Sequence, residues 1–368
     1  MRSPLTKLKE IHWPLIFILT VIASIGFAVL FSAAGGSLDP WAKKQMLRFA
    51  FGLLILFAMA STDLRIWMTL SYPLYFIALI LLVGVEIMGK IGMGAQRWID
   101  LYIFPLQPSE IMKITLLMAL ARYFHLTPPK EVFKLRTLFI PLALVALPAI
   151  LVLRQPDLGT TILLVGASFA IFFTAGIRLW KVLTVFLSAV ISLPILWNLL
   201  HNYQKQRVLT FLDPERDPLG AGYHILQSKI ALGSGGFWGK GFGSGSQSHL
   251  NFLPEKQTDF IFAMLCEEFG AVGGIILMIL YSILMIYGLR VALQSRSTYG
   301  RLLSIGLNVL FFLYVFVNIS MVMGLLPVVG IPLPLVSYGG TAMLTVMMGF
   351  GLLMAIDIHR EHRIGRLG

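Results

Sequence analysis

The chain has 368 residues, of which 57% are hydrophobic and 12% charged, with a net charge of +12. Soluble domains carry about 25% charged residues, so a soluble fold is excluded and a polytopic membrane protein is predicted. In that setting the basic excess belongs to loops and lipid headgroups and argues for no nucleic-acid partner, and the single Cys266 leaves no intrachain disulfide.

A membrane span needs about 20 apolar residues. In chain order, that length predicts about ten spans, at 14–34, 46–61, 70–88, 110–125, 137–153, 157–176, 180–199, 259–289, 302–323 and 338–357. The run from Pro14 to Ala34 is longer than the roughly 7–15 residues of a signal-peptide core and is expected to be the first span. Lys and Arg concentrate in alternate loops: Arg2, Lys7 and Lys9, then Arg122, Lys130, Lys134 and Arg136, and at the end Arg360, Arg363 and Arg366. That bias places both termini in the cytoplasm and the longest loop, 200–258, outside. Fewer cations, including Lys43, Lys44, Lys90, Arg97 and Arg154, fall on the outer side. One integral membrane domain over 1–368 is expected, with no separate soluble domain.

The outer loop is too long for a simple connector. Its stretch Tyr223–Leu232 has the apolar spacing of a helix lying at the membrane interface, and Gly233–Gly245 is rich in glycine. No internal repeat is visible, which argues against an inverted-repeat transporter.

Several familiar sites are missing. Lys240 is followed by Gly241, so the glycine run is not a phosphate-binding P-loop. No His or Cys cluster has zinc spacing, and His201, His224 and His249 are scattered through the outer loop. No nucleotide and no organic cofactor is expected. A reaction on the outer face then needs a substrate that arrives already activated, as lipid-linked intermediates do.

Charges in or beside spans are expensive and are therefore the candidates. Arg48, near the outer end of the second span, either snorkels to headgroups or binds an anion. Glu110 and Lys113 are three apart and share a helix face, as a local ion pair or as part of a site. Asp157 follows Pro156 as a helix N-cap. Glu267 and Glu268 are expected at the surface, and Trp98, Tyr102 and Phe104 in the interfacial aromatic belt. Asp259 heads a long apolar helix. It either meets the free N–H groups of the first turn or takes a proton in a wet cavity at the membrane surface.

The stretches IHWPLIFILT near the start, GAQRWIDLYIFPLQPSEIMK from Gly94, RQPDLGT from Arg154, the loop FLDPERDPLGAGYHILQSKIALGSGGFWGKGFGSGSQSHLNFLPEKQTDFIFAMLCEEFG and NISMVMGLLPVVGIPLPLVSYGG from Asn318 to Gly340 resemble the SEDS family (shape, elongation, division and sporulation). The resemblance covers nearly the whole chain. It implies an all-α fold of ten transmembrane helices, akin to O-antigen ligases and the GT-C class of lipid-dependent glycosyltransferases. It implies a peptidoglycan glycosyltransferase that polymerises lipid II on the outer face of the bacterial inner membrane during cell elongation and rod-shape maintenance. The implied partner is a class B penicillin-binding protein, the transpeptidase of the elongation machinery.

The family's essential aspartate falls on Asp259, its Glu and Lys on Glu110 and Lys113, and its arginine on Arg48. Asp259 is accordingly expected to be the general base of an inverting transfer. Arg48 and Lys113, with Arg207 and Lys256 as further candidates, would meet the pyrophosphate together with a divalent cation, Mg or Mn. Glu110 would hold Lys113 or bind that cation, and the glycine-rich loop would offer backbone N–H groups to phosphate. The alternative is a lipid II flippase using the same groove.

Overall fold

The computed structural model describes residues 11–177 and 221–365, apart from 93–94, 101–104, 129, 133, 251, 253–254 and 363, together with Thr184, Lys205 and Leu209. The expected seventh span lies outside the described residues but for Thr184, and so do Arg207, His201, Tyr102 and Phe104.

The helices in chain order are α1 (Trp13–Ala33), α2 (Ala42–Ser61), α3 (Leu64–Met88), α4 (Pro108–Leu126), α5 (Leu135–Arg154), α6 (Leu158–Thr174), α7 (Ala221–Ser234), α8 (Ser246–His249), α9 (Ile261–Gln294), α10 (Thr298–Val322) and α11 (Gly340–Ile358). Among the described residues, seven are long and apolar enough to cross a membrane: α1, α2, α3, α5, α9, α10 and α11. The other two expected spans that are described are α6, only 17 residues long, and α4, which carries Glu110, Lys113 and Arg122.

Two helices start earlier than apolar content alone suggests. α2 begins at Ala42, because Lys43, Lys44, Gln45 and Arg48 are good helix formers even though they are not apolar. α3 begins at Leu64, because the Asp63 carboxylate caps it, accepting from the Arg65 N–H at 2.9 Å.

α4 is the central helix. It packs against α3, α5, α6, α10 and α11, and this ring shields it from lipid. That explains how a helix with three charges can sit in a membrane bundle: its polar groups face protein.

The connection between α3 and α4 contains a small antiparallel sheet, β1 (Lys90–Gly92), β2 (Ala95–Asp100) and β3 (Pro105–Leu106), in the order β1-β2-β3. It adds to an otherwise helical architecture, and its strands are far shorter than a 20-residue span. From β2, Arg97 donates to the Gln155 carbonyl at 3.1 Å and to that of Pro156, and lies 3.8 Å from Asp157. The sheet is thereby pinned to the start of α6. Asp157 is the N-cap expected, accepting from the Thr160 N–H at 3.0 Å.

The glycine-rich loop has a structural use. α9 is broken at Gly270, whose φ of 69° is left-handed. An unbroken helix would pair the Glu267 and Glu268 carbonyls with the amides of Ala271 and Val272. Here those carbonyls accept from the amides of Lys240 and Gly241, each at 3.0 Å. The freed amides of Ala271 and Val272 donate to the carbonyls of Gly236 and Phe237, at 3.0 and 3.2 Å. The loop backbone splints the break and gives these four groups new partners. Only glycine permits the approach: a Cβ on Gly239 would lie 2.1 Å from the Glu268 carbonyl oxygen. The amides of Lys240 and Gly241 are therefore committed to protein carbonyls, which removes them as phosphate donors.

The helix expected at Tyr223–Leu232 is α7. It turns Ile225, Ser228 and Ala231 inward against α9 and α10, and Ser228 donates to the Val322 carbonyl at 2.7 Å.

Candidate active site

Asp259 lies in the turn Glu255–Phe260 that leads into α9. The helix starts at Ile261 and its N-cap is Phe260, which makes no side-chain cap bond. Asp259 therefore precedes the helix rather than forming its first turn, and the capping role is not what places it. Its carboxylate lies over Gly330, where a Cβ would stand 3.5 Å from Oδ2. Glu255 opens the turn at a φ of 50°, and its carboxylate accepts from Gln257 Nε2 and Thr258 Oγ1, each at 3.1 Å. Non-glycine residues held in this region cost about 1–3 kcal/mol, so the turn persists because its surroundings define it.

Those surroundings are the segment 331–339, the connection into α11. Ser337 Oγ donates to the Thr258 carbonyl at 2.6 Å, and the Tyr338 amide to the Gln257 carbonyl at 2.8 Å. Ser337 Oγ also accepts from the Leu333 amide at 2.7 Å. Tyr281 of α9 donates to the Pro334 carbonyl at 2.6 Å. From α10, the Asn318 amide nitrogen donates to two carbonyls, Ile331 at 2.7 Å and Asp259 at 3.1 Å.

The same segment reaches α2. Gln45, fully buried, donates to the Ser337 carbonyl at 2.8 Å, and its Oε1 lies 3.4 Å from the Gly339 amide and 3.5 Å from Arg48 Nη1. The Arg48 guanidinium sits 4.6 Å from the centre of the Tyr338 ring. A cation held over an aromatic face is fixed in direction, which snorkelling to headgroups would not require. Asp259 and Arg48 thus share one hydrogen-bonded scaffold. Lys256 lies in the Asp259 turn, and partial burial lowers its pKa from the usual lysine value.

Glu110 and Lys113 form a second buried cluster. Lys113 Nζ donates to Glu110 Oε1 at 2.7 Å and to the Tyr314 hydroxyl, and Tyr314 donates to Glu110 Oε2 at 2.8 Å. Exposure is 4% for Glu110, 1% for Lys113 and 2% for Tyr314. Both Glu110 oxygens are engaged within the protein, which supports its holding of Lys113 over cation binding. Tyr314 and Asn318 are four apart on α10 and so share a face. One helix face therefore holds both the ion pair and the Asp259 turn.

Glu267 and Glu268 are not surface groups. They are 0% and 1% exposed. Glu267 Oε1 accepts from Lys240 Nζ at 2.8 Å, from the Gln247 amide at 2.9 Å and from Ser246 Oγ at 3.3 Å, while Ser32 of α1 donates to Glu268. The folded-back glycine loop covers this end of α9, so the carboxylates meet protein instead of water. Lys240→Met is expected to leave a buried carboxylate short of its charge partner and to cost about 3 kcal/mol. The drop would appear as a lower thermal unfolding temperature in detergent, with earlier proteolysis within 240–250.

Sequence reasoning missed Gln45, Tyr314, Asn318 and Ser337 as site residues. The available signal was a polar residue inside an apolar run, as Asn318 and Tyr314 are in α10. Among the described residues, no group of three His, Cys, Asp or Glu side chains comes together as a metal site. A cation carried mainly by substrate phosphates needs only one or two carboxylates from the protein.

Comparison with known proteins places the chain in a family. Residues 8–362 match the family model FtsW/RodA/SpoVE, described as cell cycle protein. The peptidoglycan glycosyltransferase MrdB of Escherichia coli K12 is 47% identical over 358 residues, 96% of this chain and 95% of MrdB. A chain in a structure of a peptidoglycan synthase complex that coordinates polymerization and crosslinking superposes with a TM-score of 0.83 at 30% identity, covering 95% of this chain and 98% of that one. The rod shape determining protein RodA of Thermus thermophilus gives 0.72 at 28% identity, covering 96% and 98%. The chain belongs to the FtsW/RodA/SpoVE family, the SEDS proteins, and is a multi-pass membrane protein.

Proposed function

We propose that this peptidoglycan glycosyltransferase polymerises lipid II with Asp259 as its general base. The observation that carries this is the shared scaffold, in which segment 331–339 is bonded on one side to the Asp259 turn and on the other to the helix bearing Arg48. A base and a cation held by one element suit a reaction that removes a proton at one end and releases an anion at the other.

Asp259 takes the proton of the acceptor's sugar 4-hydroxyl as that oxygen attacks the donor's anomeric carbon. The carbon–oxygen bond to the polyprenyl pyrophosphate breaks, and the bonding pair leaves on the phosphate oxygen. Attack opposite the leaving group inverts the centre. Inverting glycosidases need a general acid beside the base, whereas a pyrophosphate is already a weak base and leaves without a proton. Arg48 and Lys256 meet its charge at the site, and Lys113 contributes from its buried pair. Arg207 is a further candidate for the same role. A divalent cation, Mg²⁺ or Mn²⁺, supplies charge neutralisation when carried on the pyrophosphate.

The site faces the extracytoplasmic side of the bacterial inner membrane, with both termini in the cytoplasm. Supporting this, Asp259 precedes the start of α9, while the other end leads to Arg296, Arg301 and Arg360, a cationic cluster of cytoplasmic character. The fold is GT-C-like, and the partner is a class B penicillin-binding protein.

The test is polymerisation of purified lipid II by the purified protein with that partner and Mg²⁺, followed as glycan on a gel. Glycan that disappears on chelation and returns with Mg²⁺ or Mn²⁺ is the expected result. No glycan from folded, partnered protein, with lipid II translocated in vesicles, would favour a flippase.

A further inference from the structure

We propose that Asn318 is a positioning residue, which sets the place of the Asp259 turn against segment 331–339 and acts on the reaction only through Asp259. The proposal rests on the assignment of Asp259 as base and adds a residue to that site.

Asn318 is 0% exposed, in the interior of α10. Its amide nitrogen faces two carbonyl oxygens, at 2.7 and 3.1 Å, which fixes the orientation of the amide: an oxygen in that place would face two acceptors. The Oδ1 atom is then left buried without a hydrogen-bond partner among the described residues. An orphaned buried acceptor is costly, so the side chain is poorly suited to packing alone. What it supplies is a double donor at the one place where the base-bearing turn, the segment beneath it and α10 converge. The peptide held is that of Asp259 itself, so a shift there moves the carboxylate directly. A displacement of about 1 Å at a reacting group costs on the order of 100-fold in rate.

Two variants test this, each measured in the partnered protein with lipid II, as kcat and KM per folded molecule. Asn318→Leu keeps the shape and removes both donors; kcat is expected to fall about 10–100-fold with KM within twofold of wild type. Asn318→Asp keeps the shape and, only when protonated, donates to one of the two carbonyls. Only the protonated carboxyl donates, so its activity relative to wild type is expected to climb as pH falls. The Asn318→Leu ratio is expected to stay level. A loss through packing alone would lower the folded fraction and leave kcat per folded molecule near wild type.

The proposal is overturned if Asn318→Leu keeps wild-type kcat, if it raises KM at unchanged kcat, or if the Asn318→Asp ratio does not change with pH. Should Asn318→Leu fail to fold, the pH ratio of Asn318→Asp decides. Full activity of Asp259→Asn would instead overturn the base assignment. An inactive Asp259→Asn beside a normal Asn318→Leu would overturn the positioning role alone.

Discussion

Asp259→Asn is expected to lower lipid II polymerisation by about 10²–10⁴-fold, the span typical of general-base catalysis, in protein that folds normally. The expectation of normal folding comes from what the structure asks of this residue. The described scaffold binds Asp259 by its main-chain carbonyl, which Asn318 holds at 3.1 Å. The cap of α9 is Phe260. Asparagine keeps the backbone and the side-chain shape, and loses the negative charge and the ability to accept a proton. A base acts in the transition state, so kcat and kcat/KM should fall together while KM stays near its wild-type value. Size-exclusion profile and thermal unfolding beside wild type verify the fold. Polymerisation within a few-fold of wild type would assign the base elsewhere.

The second large effect concerns Lys113. Removing one partner of a buried ion pair costs about 3–5 kcal/mol, because a charge is stranded. Lys113→Met strands Glu110, which is 4% exposed and whose remaining described partner is Tyr314. A marked loss of thermal stability is expected, and lost activity in this single variant would say nothing of chemistry. The double variant Glu110→Gln with Lys113→Met removes both charges and is expected to recover most of the stability. It should still polymerise at least about tenfold more slowly, since charge in a low-dielectric site acts strongly on a developing anion. A stable double variant with full activity would reduce the triad to a structural role joining α4 to α10.

Much of this was legible in the residues. Nine of the ten expected spans coincide with described helices, because bilayer thickness imposes a length that hydropathy reveals. Helix starts were less legible where charged residues open a helix, as at Lys43 and Asp63. The sheet around Arg97 was hidden because three short strands leave no long period. Glu267 and Glu268 were misplaced for a different reason. Local sequence puts them near the end of a span, and nothing local says that residues 235–241 fold back over them.

The sequence by itself determined the class of protein and nine spans that coincide with described helices, and it singled out a short set of charges, Arg48, Glu110, Lys113 and Asp259, because charge is costly near lipid. Tertiary structure alone decided how those charges are grouped. Lys113 meets Tyr314 across 201 residues of chain, Ser32 meets Glu268 across 236, and Gln45 meets Ser337 across 292. Helical periodicity encodes which face of a helix is apolar. It does not encode which other helix that face will meet. That choice is made when the bundle closes and buried polar groups such as Lys113, Glu268 and Gln45 meet their partners.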